Sequence, residues 1–374
     1  MRVLLAGGGT AGHINPAIAI AQSIKAHEPA AQILFVGNEG GLEQRLVPDA
    51  GFDIKSISIR GFQRSLSPKA IAKNIGTAFK AVSASSSAKK IIKEFAPDIC
   101  VGTGGYVSGP VIRAAQKLRI PTVIHEQNAY PGVTTKMLSK NAKRVMLAMD
   151  AARSRMDSTC NFVLTGNPVR PQILTADKAQ ARKALGLDER PVVLSFGGSL
   201  GARKINEGVA GIIARSGKDK KYQHIHAFGQ YGKWFPDLLR EKGTDPDKCT
   251  NLDIREYINN MDLCLAAADV VVCRCGAITL SEIQIMGKPS VLIPSPNVAE
   301  NHQFHNAMAL VERSAASVIE EKDMTEEKLT EEIDRLLSDK ELLRKYSENA
   351  KKMAIYDANE RIYKVIKEVL KENK

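Results

Sequence analysis

Apolar residues fall along this chain in short continuous runs, not in strict alternation, and stretches with helical spacing separate them. Val3-Leu4-Leu5, Ile33-Leu34-Phe35-Val36 and Val123-Ile124 are runs of this kind. A short apolar run bounded by turn residues reads as a strand buried on both faces. The pattern predicts strands at 2–7, 32–37, 53–59, 97–102, 121–126 and 144–149, with helices between them, for example at 15–28 and 107–118. Such alternation implies a doubly wound parallel α/β sheet. It pauses at Thr165-Gly166-Asn167-Pro168, where Pro168 marks a linker. It restarts with Val192–Phe196, His224–Phe228, Val270–Cys273 and Val291–Pro294, and ends in a Lys- and Glu-rich helical tail from about 325 to 374. Two domains follow, 1–167 and 168–349, each built as a Rossmann-like sheet.

Both halves open on a glycine turn. In the first, Gly7, Gly9 and Gly12 fit G-x-G-x-x-G, with His13 directly behind. Glycine there lets the backbone approach an anion, and the helix that follows offers free N–H groups and a positive dipole end. An NAD site would also need an acidic residue on the ribose about 20 residues further on. The end of the next strand offers only Asn38 and Glu39, a poor match. A tight turn with no ligand is the plain alternative. The second half begins with Gly197-Gly198-Ser199-Leu200-Gly201-Ala202, and one diphosphate-bearing ligand between two halves would explain both turns. A third strand–glycine–helix passage runs from Cys273 to Glu282. A carboxylate at Glu282 can accept from both hydroxyls of a ribose, or it is an ordinary acidic residue near a helix start. Gln303 and Asn306 are three apart and share a helix face. Neutral amides suit sugar hydroxyls, which both donate and accept.

Charge narrows the partners. Among 374 residues, 53 Lys and Arg stand against 41 Asp and Glu, a formal net charge of +12. Nucleic acid, an anionic membrane and phosphorylated substrates are the candidate acidic partners. The six cysteines show no disulfide framework, and Cys273 and Cys275 read as small buried residues within a strand. Met1-Arg2 leads straight into a strand, so no signal peptide is expected, and no apolar run approaches the roughly 18 residues of a membrane span. After Pro68, however, Ile71, Ile75, Phe79 and Val82 share one helical face, beside Lys69, Lys73 and Lys80. Arg60, Arg64, Lys89 and Lys90 extend the charge, and 60–90 contains no Asp or Glu. An apolar stripe flanked by basic residues is what an interfacial helix uses on anionic lipid, though it equally describes the core face of a helix.

Several motifs together carry a resemblance over nearly the whole chain. They are Gly8-Gly9-Thr10-Ala11-Gly12-His13, Gly104-Gly105-Tyr106-Val107-Ser108-Gly109-Pro110, His125-Glu126-Gln127-Asn128, Gly166-Asn167-Pro168-Val169-Arg170, the Gly197–Ala202 turn, and Gly276 to Glu282 with Gln303 and Asn306. In these the chain resembles the inverting GT-B glycosyltransferases of family 28 that add N-acetylglucosamine to the lipid-linked peptidoglycan precursor. Ala11 and Cys275 depart from the family pattern, which has glycine and another small residue there.

The resemblance implies a GT-B fold, with a helix at about 350–374 packing back on the first domain. The donor would be UDP-N-acetylglucosamine, bound by the second domain. Ser199 would meet the diphosphate, Ile258 would present backbone groups to uracil, and Ala277, Ile278, Thr279, Leu280, Ser281 and Glu282 would line the nucleotide. Gln303 and Asn306 would hold the sugar, and Thr10, Ala11, Gly12, Asn128 and Arg170 would complete the donor site. The acceptor, undecaprenyl-pyrophosphate-linked muramoyl-pentapeptide, would meet Gly104, Gly105 and Tyr106. His13 or Glu126 would be the base. No D-x-D pair stands at a credible loop, so neither metal nor cofactor is expected, and nucleic acid drops out as a partner. The expected location is the cytoplasmic face of the bacterial membrane, as a peripheral protein. The alternatives are a related transferase with another lipid acceptor such as diacylglycerol, an NAD dehydrogenase, and a non-catalytic membrane adaptor.

Overall fold

A computed structural model describes residues 1–59 and 84–373. The chain forms two compact units, Met1–Val169 with Asp357–Lys374, and Arg170–Tyr356. In the first unit the order is β1 (Arg2–Gly7), α1 (Ala11–His27), β2 (Gln32–Asn38), α2 (Glu43–Asp49), β3 (Asp53–Ile57), α3 (84–95), β4 (Ile99–Gly104), α4 (Gly105–Lys117), β5 (Thr122–Glu126), α5 (Val133–Ser139), β6 (Arg144–Leu147) and β7 (Phe162–Leu164). The second unit runs α6 (Pro171–Thr175), α7 (Lys178–Ala184), β8 (Val192–Phe196), α8 (Arg203–Asp219), β9 (Gln223–Ala227), α9 (Phe235–Glu241), β10 (Leu252–Arg255), α10 (Met261–Ala267), β11 (Val270–Cys273), α11 (Ala277–Met286), β12 (Ser290–Leu292), α12 (His302–Val311), β13 (Ser317–Val318), α13 (Glu326–Ser338) and α14 (Lys340–Met353). Then α15 (Ala358–Glu372) belongs to the first unit.

Each unit holds one sheet, ordered β3-β2-β1-β4-β5-β6-β7 and β10-β9-β8-β11-β12-β13. Every recorded strand pair is parallel, as their continuous apolar runs require. The chain direction across the sheet reverses between β1 and β4, and again between β8 and β11. Ligands of open α/β sheets bind beyond the carboxyl ends of the strands at such points. Those are the places where the glycine turns lie.

Apolar layers cover both faces of the first sheet. Val3, Leu5, Ile14, Ile20 and Ile24 pack on one side, and Leu4, Val36, Ile92, Val111 and Ile112 on the other. Ile362, Val365, Ile366 and Val369 of α15 join the first layer, a contribution of about 1.5–3 kcal/mol for each buried side chain. Tyr363 donates to Glu28 at 2.9 Å, and Lys367 pairs with the same carboxylate. The second sheet has its own layer, with Ile205, Val209, Ile213, Phe235, Leu329 and Ile333.

Several boundaries differ from the sequence reading. Helix α1 starts at Ala11, so His13 lies in its first turn, not ahead of it. Strand β4 starts two residues later than expected, because Asp98 stays outside and its carboxylate accepts from Arg2 N at 2.7 Å. β7, β10 and β13 were not anticipated: all are short and of intermediate burial, β10 and β13 lack an apolar run, and the run of β7 is only Phe162-Val163-Leu164. The stripe of Ile71, Ile75, Phe79 and Val82, with Arg60, Arg64, Lys69, Lys73 and Lys80, lies outside the described residues. Among the described residues, no helix is long and apolar enough to cross a membrane.

Candidate functional site

In the second unit a cavity of about 500 Å³ opens at the β8/β11 switch point. Its walls include Gly197, Gly198, Gly201, Ala202, Gly276, Thr279 and Gln303. The size suits a small-molecule ligand. Arg203, Lys204 and Arg274 face it against a single carboxylate, Glu321, which Arg274 itself binds. The turn can form only with glycine at Gly201: its φ is +83°, and a Cβ there would stand 2.2 Å from the Phe228 carbonyl.

The N-termini of α8 and α11 border the same cavity. Neither Ala202 nor Gly276, the N-caps of α8 and α11, offers a capping side chain, and neither first turn holds an acidic residue. Side chains cap three other helices of the unit, while α6, α9, α10 and α12 resemble α8 and α11 in having no side-chain cap. Asp177 caps α7, Thr325 caps α13 and Asp339 caps α14. The positive end of a helix dipole favours an anion, and two such ends meet this cavity.

Glu282 is 6% exposed on α11. Its Oε1 accepts from Arg170 Nη2 at 3.0 Å and Nε at 3.3 Å, which leaves Oε2 for a ligand. Burial pushes its pKa up, and Arg170 only partly counters that. Gln303 is locked by the backbone: its Oε1 accepts from Ser295 N at 2.9 Å and Cys275 N at 3.3 Å, so the amide N–H donors remain for a ligand. Asn306 departs from expectation. It is fully buried and donates to the Cys275 carbonyl at 3.1 Å, which braces the turn before α11. Ser199 is exposed on its turn. Ile258 is buried, and among the described residues neither its N–H nor its C=O has a backbone partner. Leu280 is fully buried and helix-bonded and Ala277 is buried, so Ile278, Thr279 and Ser281 form the more accessible part of this passage. Cys273 and Cys275 are buried free thiols, as expected, and burial raises both pKa values.

In the first unit the β1/β4 switch point gathers a second set. Gly104 (φ +99°) and Gly105 (φ +76°) let β4 pass close to the first glycine turn. A Cβ on Gly105 would stand 2.0 Å from the Gly8 carbonyl, and one on Gly104 would stand 2.9 Å from His13 Nδ1. The Tyr106 ring covers Gly9. Thr10 is the N-cap of α1 without a side-chain cap bond, and Ala11 and Gly12 complete its first turn.

His13 is held through Nδ1, 3.1 Å from the Thr103 carbonyl and 3.2 Å from Gln127 Oε1. Glu126 is fully engaged within its own loop. Its Oε1 accepts from Asn128 N and Nδ2, both at 3.1 Å, and its Oε2 accepts from Gly132 N at 3.1 Å. Three N–H groups thus tie this buried carboxylate into its own loop. Sequence reasoning missed Glu43. This buried carboxylate accepts from Asn38 N at 2.8 Å and Gly9 N at 3.3 Å, and so holds the glycine turn from below. Its only sequence signal was an acidic residue behind a glycine pair, Gly40-Gly41.

Two family models match the chain: the glycosyltransferase family 28 N-terminal domain over residues 3–147, and the family's C-terminal domain over 192–362. Curated relatives match end to end. A UDP-N-acetylglucosamine–N-acetylmuramyl-(pentapeptide) pyrophosphoryl-undecaprenol N-acetylglucosamine transferase of Acetivibrio thermocellus is 46% identical over 372 residues, 99% of either chain. The protein of the same description from Thermoanaerobacter sp. is 44% identical over 370 residues, 99% of this chain and 100% of its own. The crystal structure of Acinetobacter baumannii MurG superposes with a TM-score of 0.78 at 29% identity, covering 98% of this chain and 99% of that one. With the glycine turns and the cavity at the switch point, these likenesses establish that the chain belongs to glycosyltransferase family 28 and has the GT-B fold.

Proposed function

We propose that this protein transfers N-acetylglucosamine from UDP-N-acetylglucosamine to the C4 hydroxyl of undecaprenyl-pyrophosphate-linked muramoyl-pentapeptide, the lipid I to lipid II step of peptidoglycan synthesis. The observation that carries this reading is the full-length identity of 44–46% to relatives described by that reaction. The site chemistry agrees with it. In the second unit, Glu282 Oε2 takes the ribose hydroxyls and Gln303 donates to the sugar. Ile258 pairs with uracil through its backbone. Ser199 and the first turns of α8 and α11 receive the diphosphate.

In the first unit, Gly104, Gly105 and Tyr106 belong to the acceptor side. Thr10, Ala11, Gly12 and Asn128 keep their assignment toward the donor under this reading. The acceptor oxygen attacks C1 from the face opposite UDP. The O4–C1 bond forms, the bond from C1 to the diphosphate oxygen breaks, and the O4 proton goes to His13 Nε2. The charge left on UDP is met by backbone N–H groups and the cavity's cations. His13 is preferred to Glu126 because among the described residues its Nε2 has no partner, whereas Glu126 accepts from Asn128 and Gly132. Asn306 acts by holding the turn before α11.

The reading also places the protein peripherally at the cytoplasmic membrane face, supported by the acid-free basic segment 60–90. The experiment is turnover with a synthetic lipid acceptor, read by mass and by the anomeric coupling of the new bond. A β-1,4-linked disaccharide supports the reading. Turnover with a diacylglycerol acceptor instead would move the protein to the related lipid transferases.

A further inference from the structure

We infer that Gln127 and His125 are positioning residues for His13: a hydrogen-bond chain beginning at the Gly166 carbonyl sets the proton on His13 Nδ1 and presents Nε2 as the basic nitrogen. The inference rests on the reading of His13 as the base and adds how that base is prepared.

Three backbone carbonyls fix the chain, because a carbonyl only accepts. His125 Nε2 lies 2.9 Å from the Gly166 carbonyl, so Nε2 carries hydrogen. His125 is fully buried, and burial lowers its pKa, so the ring is neutral and Nδ1 is a lone pair. That lone pair accepts from Gln127 Nε2 at 3.0 Å. The same amide nitrogen donates to the His125 carbonyl at 3.0 Å. Turning the amide over would place its oxygen against that carbonyl, so its orientation is settled. Gln127 Oε1 therefore faces His13 Nδ1 at 3.2 Å as an acceptor, beside the Thr103 carbonyl at 3.1 Å. Both neighbours of Nδ1 are acceptors, so it carries the hydrogen.

The frame around the chain is rigid. Thr103 Oγ1 donates to the His13 carbonyl at 2.8 Å, and Asn167 Nδ2 donates to the Gln127 carbonyl at 3.2 Å. Which ring nitrogen of a histidine is basic is set by the hydrogen bond the other one makes. When Nε2 takes the acceptor's proton, Nδ1–H stays bonded to the Gln127 and Thr103 oxygens, so the ring keeps its orientation through the step. The two histidines therefore hold opposite tautomers: His13 with hydrogen on Nδ1, His125 with hydrogen on Nε2.

The test uses the full-length protein labelled with ¹⁵N-histidine, in two-bond proton–nitrogen spectra recorded where His13 is neutral, with kinetics alongside. The wild type should show the two rings in opposite tautomers. If His13 carries its hydrogen on Nε2, the inference is overturned before any variant is made. Gln127→Met keeps the side-chain length and removes the amide. His13 should then populate both tautomers, and kcat should fall about tenfold at unchanged donor KM, one hydrogen bond's worth. A Gln127→Met protein whose His13 tautomer is unmoved overturns the role of Gln127. A shifted tautomer with unchanged kcat keeps the positioning but removes His13 as the base. That outcome, with full turnover of His13→Ala, separates failure of the base reading from failure of the chain.

Discussion

Replacing Glu282 by glutamine probes the donor site at its most specific contact. Glu282 Oε1 is committed to Arg170 at 3.0 and 3.3 Å, and Oε2 is left for the ribose. Glutamine keeps the shape. It loses the negative charge and, with its oxygen toward Arg170, presents an NH2 group where two hydroxyls had donated. A hydrogen bond to a charged group is worth about 1.5–3 kcal/mol, so UDP-N-acetylglucosamine should bind about 10–100-fold more weakly. The burial that raises the Glu282 pKa also keeps water from replacing the lost contact. Calorimetric titration measures the loss. Pairing the variant with 2′-deoxy-UDP isolates the contact: the wild type should discriminate against the deoxy ligand, and Glu282→Gln should discriminate much less. Affinity within threefold of wild type, or equal discrimination in both proteins, refutes the assignment.

His13→Ala should lower kcat by about 10²–10⁴, the usual worth of a general base, with UDP affinity unchanged; weakened UDP binding would make His13 a phosphate contact instead. Acid should destabilise the second unit through His226, whose pKa burial pushes down to about 3 beside the Ser195 hydroxyl. The unfolded chain takes this proton below about 6.5 and the native state does not, so stability present above that pH is lost as pH falls toward 3. From pH 7 to pH 5 the advantage of wild type over His226→Leu in denaturant unfolding should shrink by about 2 kcal/mol, and a constant difference would contradict this. Changing Lys69, Lys73 and Lys80 to Glu should abolish sedimentation with anionic vesicles at low salt while sparing UDP binding, since each basic residue contributes about 1 kcal/mol at such a surface. Unchanged sedimentation removes 60–90 as the docking segment.

The sheet architecture was legible because strands such as Val270–Cys273 are continuous apolar runs, which suit a strand buried on both faces. β13 was not, because two half-buried residues at a sheet edge leave no periodic signal. The glycine turns were legible for the same physical reason that they function. Gly201 and Gly105 stand where a Cβ would strike backbone. Partnerships between distant residues were hidden. Nothing in the chain shows that Arg170 will grip Glu282 at a separation of 112, or that Gln127 will reach His13 at 114. Asn306 illustrates the limit of face reasoning: it shares a helix face with Gln303, yet one amide keeps its donors for a ligand and the other is spent on the Cys275 carbonyl.

The most direct test of the account is the reaction itself. Purified protein is incubated with UDP-N-acetylglucosamine and a synthetic undecaprenyl-pyrophosphoryl muramoyl-pentapeptide, and the product is analysed by mass spectrometry and NMR. The account predicts stoichiometric UDP release and a β-1,4-linked N-acetylglucosaminyl product, both abolished together in a Glu282→Gln, His13→Ala double variant. Tight UDP binding with no glycosyl transfer to this acceptor, or a product that retains the α configuration, would contradict it.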